Sequence, residues 1–276
     1  MRPSPAADLA ALVRLRNLLL AAAGVAIGGV LVLGRVGFPR EVWLAMASAF
    51  GIGAAGNVAN DLYDLDADRV NRPDRPLVAG RVTTNAAIVL GGILGGAGLV
   101  AAARVDRRLL ALGVAALAVM LVNSPLLKQH GALGNVAVAL VAGLPPVYGA
   151  TALGWPRGGY VAFGLGALLH FAREVVKDIE DVAGDQRAGR RTIPLMYGPA
   201  AAYLAAAATL VLFIPASLAP WFVGWYGQRY GITVLLLDCG VALLIWRLMD
   251  HHLAHARAAL KVAMVIGLAS LLWDRL

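Results

Sequence analysis

Long apolar runs separated by short polar connections dominate this sequence. The runs predict helices at about residues 9–34, 41–64, 83–103, 108–127, 133–154, 158–181, 198–219, 231–249 and 256–274. Most are long enough to cross a bilayer, because about 20 apolar residues span its hydrocarbon core. Short connections favour antiparallel packing of neighbouring helices. The pattern predicts an all-α fold: a polytopic membrane bundle of nine transmembrane helices, forming a single integral-membrane domain over residues 1–276.

Composition supports a membrane protein over a soluble one. Of the 276 residues, 60% are hydrophobic and only 14% are charged, which lies outside the usual range of soluble domains. The net charge of +8 would suggest nucleic acid in a soluble chain. No basic run is interleaved with aromatic residues, however, so we expect no nucleic-acid partner. No obligate protein partner is evident, and the expected surroundings are membrane lipid.

Two features inside the apolar runs predict local geometry. Pro145 and Pro146 fall within the fifth predicted span and should bend it. Gly91 with Gly95, and Gly92 with Gly96, are spaced so that a neighbouring helix could approach closely in lipid. Both features concern packing and carry no function by themselves.

Two sets of polar and acidic residues repeat at one spacing and stand out in this apolar chain. Each residue of the second set follows its counterpart by 117 positions. The sets are Asn57, Asp61, Asp64 and Asp68, followed by Glu174, Asp178, Asp181 and Asp185. Residues at this spacing share one face of an α-helix, so each set predicts a stripe of oxygen atoms. The repeat also suggests an internal duplication offset by four helices.

Helix parity predicts that both stripes face one compartment. The stripes end the second and sixth predicted spans, and the loops after even-numbered spans emerge on the side of the N-terminus. Lys and Arg are about twice as numerous on that side, which the positive-inside rule identifies as cytoplasmic. We therefore expect a multi-pass protein of the cell membrane with its N-terminus and the mouth of its site in the cytoplasm.

The stripes predict a site for a metal-bound polyphosphate. Carboxylates at these spacings repel one another and lie unfavourably at helix C-termini, so a positive partner must offset them. Oxygen ligands without clustered His or Cys favour Mg²⁺, which commonly joins carboxylates to substrate phosphates. Basic residues that would complete the charge balance follow both stripes, namely Arg69, Arg72, Arg75, Arg187, Arg190 and Arg191, and Lys128 follows the fourth predicted span on the same face of the membrane. A polyphosphate site opening into an apolar bundle predicts an amphiphilic substrate such as an isoprenoid diphosphate.

The motifs also carry a family resemblance. Residues 60–68 contain Asn-Asp-x-x-Asp-x-x-x-Asp, and residues 178–185 contain Asp-x-x-Asp-x-x-x-Asp. Together they resemble the two signatures of the UbiA-type membrane prenyltransferases, and the similarity extends over essentially the whole chain. Within that family, residues 71–76, 134–139, 173–181 and 189–194 are most similar to the archaeal digeranylgeranylglyceryl phosphate synthases. Leu15 departs from the pattern, because relatives often have proline there.

The resemblance implies Mg²⁺-dependent transfer of a prenyl group from an isoprenoid diphosphate, geranylgeranyl diphosphate in the first instance, to a lipophilic acceptor. The acceptor it implies is geranylgeranylglyceryl phosphate, whose free hydroxyl would form an ether. The implied metal ligands are Asn60, Asp61, Asp64, Asp68, Asp178, Asp181 and Asp185. The implied catalytic residues are Asp64, Asp68, Asp181 and Lys128.

Substrate binding is predicted for a further set of polar residues. These are Asn17, Asn57, Tyr63, Arg69, Arg72, Lys128, Asn135, Arg173 and Lys177. Asn57 enters by its place on the first stripe, and Tyr63 and Asn135 as residues that would orient substrate. Candidates for binding a second phosphate, on the acceptor, are Arg16, Arg173, Lys177, Arg190 and Arg191.

Three alternatives remain open from the sequence. Family members of quinone biosynthesis share the core motifs, so the acceptor could be aromatic, such as 4-hydroxybenzoate or a naphthoate. A cation transporter could repeat acidic helices, although its ion site would be expected near the bilayer midplane. A CDP-alcohol phosphotransferase would use acidic helices as well, but the elements that accompany its carboxylates are absent from this sequence.

Overall fold

The computed structural model describes residues 4–276, and every regular element in that range is a helix. The α-helices are α1 (Pro5–Leu12), α2 (Leu15–Leu33), α3 (Arg40–Tyr63), α4 (Leu65–Asn71), α5 (Thr84–Ala103), α6 (Arg107–Asn123), α7 (Ala132–Gly143), α8 (Pro145–Ala152), α9 (Tyr160–Glu180), α10 (Val182–Arg187), α11 (Ile193–Tyr197), α12 (Pro199–Phe222), α13 (Gln228–Met249) and α14 (Ala256–Arg275). Short 3₁₀ helices lie at Leu127–Gln129 and Pro156–Gly159. The predicted all-α class is confirmed for the described residues.

Six of these helices are long and apolar enough to cross a membrane: α2, α3, α5, α12, α13 and α14. The pair α7 and α8 makes a seventh if it forms one bent span. The other two predicted spans correspond to α6 and α9. Helix α6 has only 17 residues, and the last turns of α9 carry several charged side chains. A polytopic membrane protein is supported, whereas the count of nine spans stays a prediction.

The first predicted helix, 9–34, is wrong as a single element, because the chain breaks between α1 and α2. Arg14 adopts a left-handed conformation with φ of 56°, which interrupts the helix. The side chain of Asn57 holds the break by donating to the carbonyl of Val13 at 2.9 Å. The break turns Arg14 toward α3, where it pairs with Asp61.

The predicted proline bend is confirmed. Helices α7 and α8 meet at Pro145 with an angle of 40°. Beyond the bend, α8 packs closely on α2: a Cβ added at Gly149 would lie 1.8 Å from the carbonyl oxygen of Val25. A Cβ added at Gly28 would lie 2.0 Å from the carbonyl oxygen of Pro146. Both positions therefore require glycine, and the backbones of the two helices touch.

One of the two predicted glycine pairs lies in a helix contact. Gly91 and Gly95 face α3, where a Cβ at Gly95 would lie 2.9 Å from the Cβ of Ala55. Gly92 and Gly96 have no neighbouring heavy atom within 4 Å and lie on the open side of α5. Successive residues of a helix point about 100° apart, so only one pair can face the partner helix.

The helices form a ring around a central cavity. Helix α2 packs on α3, α8 and α14, and α14 packs in turn on α13 and α9. Helix α9 also contacts α7 and α12, so the contacts join the first half of the chain to the second. The largest buried apolar cluster lies among α9, α12, α13 and α14. The ring fixes where the two acidic sets meet, at one end of the bundle.

Candidate active site at the mouth of the helix bundle

Each acidic set spans two helices that meet at an aspartate. Asp64 ends α3 and precedes α4, with φ of −90° and ψ of 6°. Asp181 stands between α9 and α10 in nearly the same conformation, with φ of −94° and ψ of 5°. The predicted spans end within one residue of α3 and α9, but Asp68 and Asp185 lie on separate short helices, so the prediction that each set shares the face of a single helix is wrong. This backbone conformation departs from the helix at each aspartate and re-aims the residues that follow. The matched breaks accord with an internal duplication, which, like the single domain, stays a prediction.

Helices α4 and α10 pack against each other and bring the two sets together. The side chain of Asn71, at the end of α4, donates to the carbonyl of Asp181 at 3.0 Å. It also accepts from the backbone N–H of Gly184 at 3.0 Å. A Cβ at Gly184 would lie 2.3 Å from the Nδ2 atom of Asn71 and 2.5 Å from the carbonyl oxygen of Ala67. Glycine at position 184 thus permits the close contact.

Two arginines cross between the halves in a reciprocal arrangement. Arg72, after the first set, donates through Nη2 to both carboxylate oxygens of Asp181 at 2.9 and 2.8 Å. Arg190, after the second set, pairs with Asp64 and with Asp185 at 2.8 Å. Lys128 donates to the other oxygen of Asp64 at 3.0 Å. Each central aspartate therefore binds a cation from the opposite half of the chain.

The remaining carboxylates have unequal partners. Asp61 pairs with Arg14 and with Arg75, the latter at 2.9 Å, and Asp68 also pairs with Arg75. Asp178 accepts instead from the amide of Asn135 at 2.7 Å. Among the described residues, no Lys or Arg lies within ion-pair distance of Asp178. This carboxylate is buried and oriented by an amide rather than by a charge.

Burial and neighbouring opposite charges shift the pKa values of the groups at this site in opposite directions. Burial alone would raise the pKa of Asp64, but Lys128 and Arg190 outweigh it and hold the pKa at about 2. Burial also raises the pKa of Asp68, where Arg75 opposes the rise and the carboxylates of Asp64 and Asp61 add to it. For Lys128, burial lowers the pKa despite the attraction of Asp64. Asp64 is therefore held ionised by cations from both halves.

The acidic sets line a small polar cavity. Its lining includes Asn60, Asp64, Asp68, Asn71, Arg72, Arg75, Lys128, Lys177, Asp178, Asp181, Asp185 and Arg190. The cavity holds only about 10 Å³, because the ion pairs close it. Asp61, a predicted metal ligand, is absent from this lining and lies behind Arg75.

A much larger apolar cavity adjoins the polar one. Its volume is about 670 Å³, and it runs among α2, α3, α6, α7, α9 and α14. Asn60, Arg72, Arg75, Lys128 and Lys177 line both cavities. Asn17, Asn57 and Arg173 line the larger one. The site therefore combines a charged head region with a long apolar chamber.

Some predicted substrate-binding residues lie elsewhere. Tyr63 is 59% exposed, and Arg69 pairs only with Asp66, its side chain 63% exposed. Neither residue lines either cavity. The amide of Asn57 contacts Val13 and Arg14, which holds the break between α1 and α2. These roles stay predictions, and the structure gives Tyr63 and Arg69 no place at the site.

Several residues at the site have no obvious sequence signal. Arg14 and Arg75 bind the acidic sets, although the sequence marks Arg75 only as a flanking arginine. Ser124 donates to the side-chain oxygen of Asn60 at 2.6 Å. The spacing along the sequence could have identified Asn71. It follows Asp64 by seven residues, about two helical turns, which favours the same side of the segment. Its partner Gly184 becomes apparent only in three dimensions.

The donor set fits a hard divalent cation, although the carboxylates now bind cationic side chains. Within residues 4–276, no three His, Cys, Asp or Glu residues converge on a metal-sized point. The metal-ligating groups that line the cavity are nonetheless all oxygen donors, from carboxylates and from the amides of Asn60 and Asn71, which suits Mg²⁺. Asp178 in particular is buried and free of a cationic partner among the described residues. The donor chemistry thus fits Mg²⁺ once the bridging arginines and lysine are redirected.

Comparison with known proteins gives a consistent family. The model of the UbiA prenyltransferase family matches residues 18–270. A digeranylgeranylglyceryl phosphate synthase from Halobacterium salinarum is 39% identical over 230 residues, covering 82% of each chain. One of the same name from Thermococcus kodakarensis is 33% identical over 264 residues, covering 94% of each.

Solved structures share the fold. A structure of digeranylgeranylglyceryl phosphate synthase superposes with a TM-score of 0.79 at 26% identity, covering 97% of both chains. A UbiA homologue from Archaeoglobus fulgidus, bound to GPP and Mg²⁺, has a TM-score of 0.72. It covers 96% of this chain and 99% of its own, but at 16% identity it supports the fold alone.

Proposed function

Because the chain belongs to the UbiA prenyltransferase family, we propose that it transfers a geranylgeranyl group from geranylgeranyl diphosphate to geranylgeranylglyceryl phosphate, with Mg²⁺ as cofactor. One observation carries the proposal: two buried carboxylate sets face each other at a polar cavity that opens into an apolar chamber of about 670 Å³. The polar cavity suits a diphosphate, and the chamber suits a long hydrocarbon tail.

The metal ligands would come from both halves of the chain. Those lining the polar cavity are Asn60, Asp64, Asp68, Asp178, Asp181 and Asp185. Bound Mg²⁺ would neutralise charge on the diphosphate oxygens and so make the diphosphate a better leaving group. Asp61 lies behind this lining and would act through Arg75, which it pairs with at 2.9 Å.

The cationic side chains would bind the diphosphate directly. Arg72, Lys128 and Arg190 now neutralise Asp64 and Asp181, and they line the cavity. With substrate bound, these side chains would pair with phosphate oxygens instead of carboxylates, and Mg²⁺ held by Asp64 and Asp181 would replace the charge that they now supply. Such groups stabilise the transition state most, because charge on the diphosphate grows as the bond breaks.

The bond changes are those of an alkyl transfer. The allylic carbon–oxygen bond breaks, and its electron pair leaves with the diphosphate. The acceptor hydroxyl forms the new carbon–oxygen bond to the allylic carbon, and its proton passes to the released diphosphate. Apolar chamber walls such as Ile52, Val119 and Leu169 keep water from the allylic cation.

Support for a glycerol-lipid acceptor comes from relatives named for that product. The runner-up is an aromatic acceptor of quinone biosynthesis, because the core motifs of the family do not specify the acceptor. The cation transporter loses its support, because the family is one of prenyltransferases. We place the mouth of the site in the cytoplasm, since Lys and Arg are about twice as numerous on that side.

An acceptor screen tests the proposal. Purified protein in neutral vesicles receives geranylgeranyl diphosphate and Mg²⁺ with geranylgeranylglyceryl phosphate, 4-hydroxybenzoate or a naphthoate. Diphosphate release and the prenylated product are measured together. We expect an ether product from the glycerol lipid alone, and no turnover after chelation with EDTA until Mg²⁺ is restored.

Different failures have different meanings. Product from an aromatic acceptor but not from the glycerol lipid would overturn the acceptor and keep the reaction class. Full turnover after thorough removal of divalent metal would overturn the role of Mg²⁺.

A further inference from the structure

We infer that a second anion site, formed by Arg173, Lys177, Arg257 and Lys261, binds the phosphate monoester of the acceptor lipid. The identity of that acceptor rests on the proposed function above. The site lies between α9 and α14, beside the acidic sets: Glu174 of the second set pairs with Arg173 and Lys177, whereas Arg173, Arg257 and Lys261 lie outside the polar cavity. Arg257 and Lys261 carry no motif signal, and only the packing of α14 brings them to the substrate chamber.

The four side chains share one wall of the chamber. All of them line the large cavity, and α14 packs directly on α9 and α2. Lys261 lies within Coulombic range of Arg173, Arg257 and Arg16. Arg16 stands in the first turn of α2, which contacts α14, and adds to the positive potential. Like charges at a cavity wall repel one another, and an anion that balances them lowers the free energy of the cluster.

The acids nearby do not balance this cluster. Glu174 accepts from Arg173 at 2.9 Å and from Lys177 at 3.1 Å. Glu180 accepts from Arg257 at 2.7 Å. Both carboxylates are thus already shared or paired, and Lys261 has no ion pair among the described residues. A net positive charge remains at the wall.

Helix dipoles add to the excess. Arg257 and Lys261 lie in the first two turns of α14, at the positive end of the helix, where cations are unfavourable. Neither α14 nor α2 has a side-chain hydrogen bond at its N-cap. Backbone N–H groups at both helix starts therefore lack side-chain acceptors. An anion bound at this wall would offset the charges and the dipoles together.

Arg173 provides an independent sign of a missing acceptor. Its Nε atom is buried and has no hydrogen-bond partner among the described residues. A buried donor without a partner costs free energy, and Arg173 lines the cavity. Its Nη1 atom is already engaged by Glu174. An oxygen atom of a ligand in the chamber would satisfy the remaining donor.

The chemistry of the wall favours a phosphate monoester over a second metal-bound diphosphate. Only two carboxylates, Glu174 and Glu180, pair with this wall, whereas five aspartates line the polar cavity, so the wall offers few oxygen ligands for Mg²⁺. A dianionic phosphate needs only cations and N–H donors, and arginine binds phosphate with two parallel hydrogen bonds. The topological explanation, that basic residues mark the cytoplasmic side, does not account for side chains that line the chamber instead of facing lipid.

The test compares an acceptor with and without its phosphate. Arg257→Gln and Lys261→Gln are assayed with geranylgeranylglyceryl phosphate and with geranylgeranylglycerol, in neutral vesicles. Arg247→Gln, in the last turn of α13 and outside both cavities, is the matched control. We expect KM for the phosphorylated acceptor to rise about tenfold or more. KM for geranylgeranyl diphosphate and for the dephosphorylated acceptor should change less than about twofold, and the control should match the unmodified protein.

Equal losses with both acceptors would show a merely structural role and overturn the inference, as would unchanged KM values. Added phosphatidylglycerol distinguishes the source of the phosphate: strong inhibition of the unmodified protein, abolished in the variants, would assign the site to bulk anionic lipid.

A binding measurement separates this inference from the proposed function. Labelled geranylgeranylglyceryl phosphate is bound without prenyl diphosphate or Mg²⁺, in competition with the dephosphorylated lipid. If the protein prenylates only an aromatic acceptor, the proposed function fails. The second anion site then stands only if binding of the phosphorylated lipid is retained and is weakened by Lys261→Gln.

Discussion

Arg72 donates to both carboxylate oxygens of Asp181, which lies in the other half of the chain. In the opposite direction, Arg190 from the second half pairs with Asp64 in the first half. These reciprocal ion pairs hold two helix breaks of matching conformation face to face and fill the polar cavity with cations. Under the proposed function, substrate binding would require these cations to exchange carboxylate oxygens for phosphate oxygens.

Replacing Arg72 should impair use of the prenyl diphosphate. We expect Arg72→Ala to lower kcat/KM for geranylgeranyl diphosphate by about 10²-fold, the effect typical of losing one donor to a developing anion. Arg69→Ala is the matched control, since Arg69 is exposed and pairs only with Asp66. Its kcat/KM should stay within about twofold. Equal losses in both variants would contradict the assignment of Arg72.

Replacing a buried aspartate of the acidic sets should lower activity much more than replacing an exposed aspartate nearby. Asp64→Asn and Asp181→Asn each remove a charge from the polar cavity, so we expect kcat to fall by about 10²–10³-fold with any Mg²⁺ concentration. Asp66→Asn, in the same segment but 73% exposed, should remain fully active. Steady-state assays across a Mg²⁺ titration measure both effects. Full turnover of Asp181→Asn would exclude the two-sided metal site.

The contact between α4 and α10 should be intolerant of a single methyl group. In Gly184→Ala the new Cβ would meet Asn71 and the backbone of Ala67, so the two acidic sets would move apart. We expect a loss of about 1–3 kcal/mol in the free energy of unfolding and a marked loss of activity. Thermal unfolding in detergent, with turnover measured in parallel, checks this expectation.

Gly92→Ala is the control for that variant, because nothing lies within 4 Å of an added Cβ there. Its stability should be unchanged or slightly higher, since alanine favours helices over glycine by about 1 kcal/mol. Similar destabilisation in both variants would point to a general effect of glycine replacement.

The length of the chamber should decide which prenyl diphosphates fit. Ala49 is the first residue of α3 that lines the large cavity, about 22 Å along the helix from Asp64. We expect Ala49→Phe to shorten the chamber and lower kcat/KM for the geranylgeranyl substrate about tenfold relative to the geranyl substrate. Ala47→Phe, on the exposed side of the same helix, should leave the ratio unchanged. An equal change of this ratio in both variants would contradict the assignment of Ala49 to the chamber wall.

Most predicted elements lie within a few residues of their observed bounds, because apolar runs in lipid allow few alternatives to a helix. The errors occur where a tertiary contact overrides the local pattern. Arg14 breaks the first helix because its side chain reaches Asp61. Asp64 and Asp181 break their helices where the two halves meet. The sequence pattern ends the second and sixth predicted spans at residues 64 and 181, but it does not predict the short helices α4 and α10 that follow, since the contacts between them join residues that are distant in the chain.

Asp238 is another residue whose role could not be predicted from the sequence. In the sequence it is an isolated acid inside an apolar run and has no role. The structure places its carboxylate within 2.9 and 3.0 Å of the hydroxyl of Ser217 on the neighbouring helix, which satisfies a buried polar group in the bundle. A partner 21 positions away in the chain was needed to explain it.

By itself, the sequence determined the membrane class, the helical fold, the two acidic sets and their common face, because these follow from hydrophobicity and spacing along the chain. It also carried the family resemblance that comparison bears out. Only the tertiary structure decided which cations reach which carboxylates, excluding Arg69 and including Arg14, Arg75 and Arg190. Side-chain pairing across a bundle depends on how helices break, cross and pack, and those contacts join residues that the sequence keeps far apart.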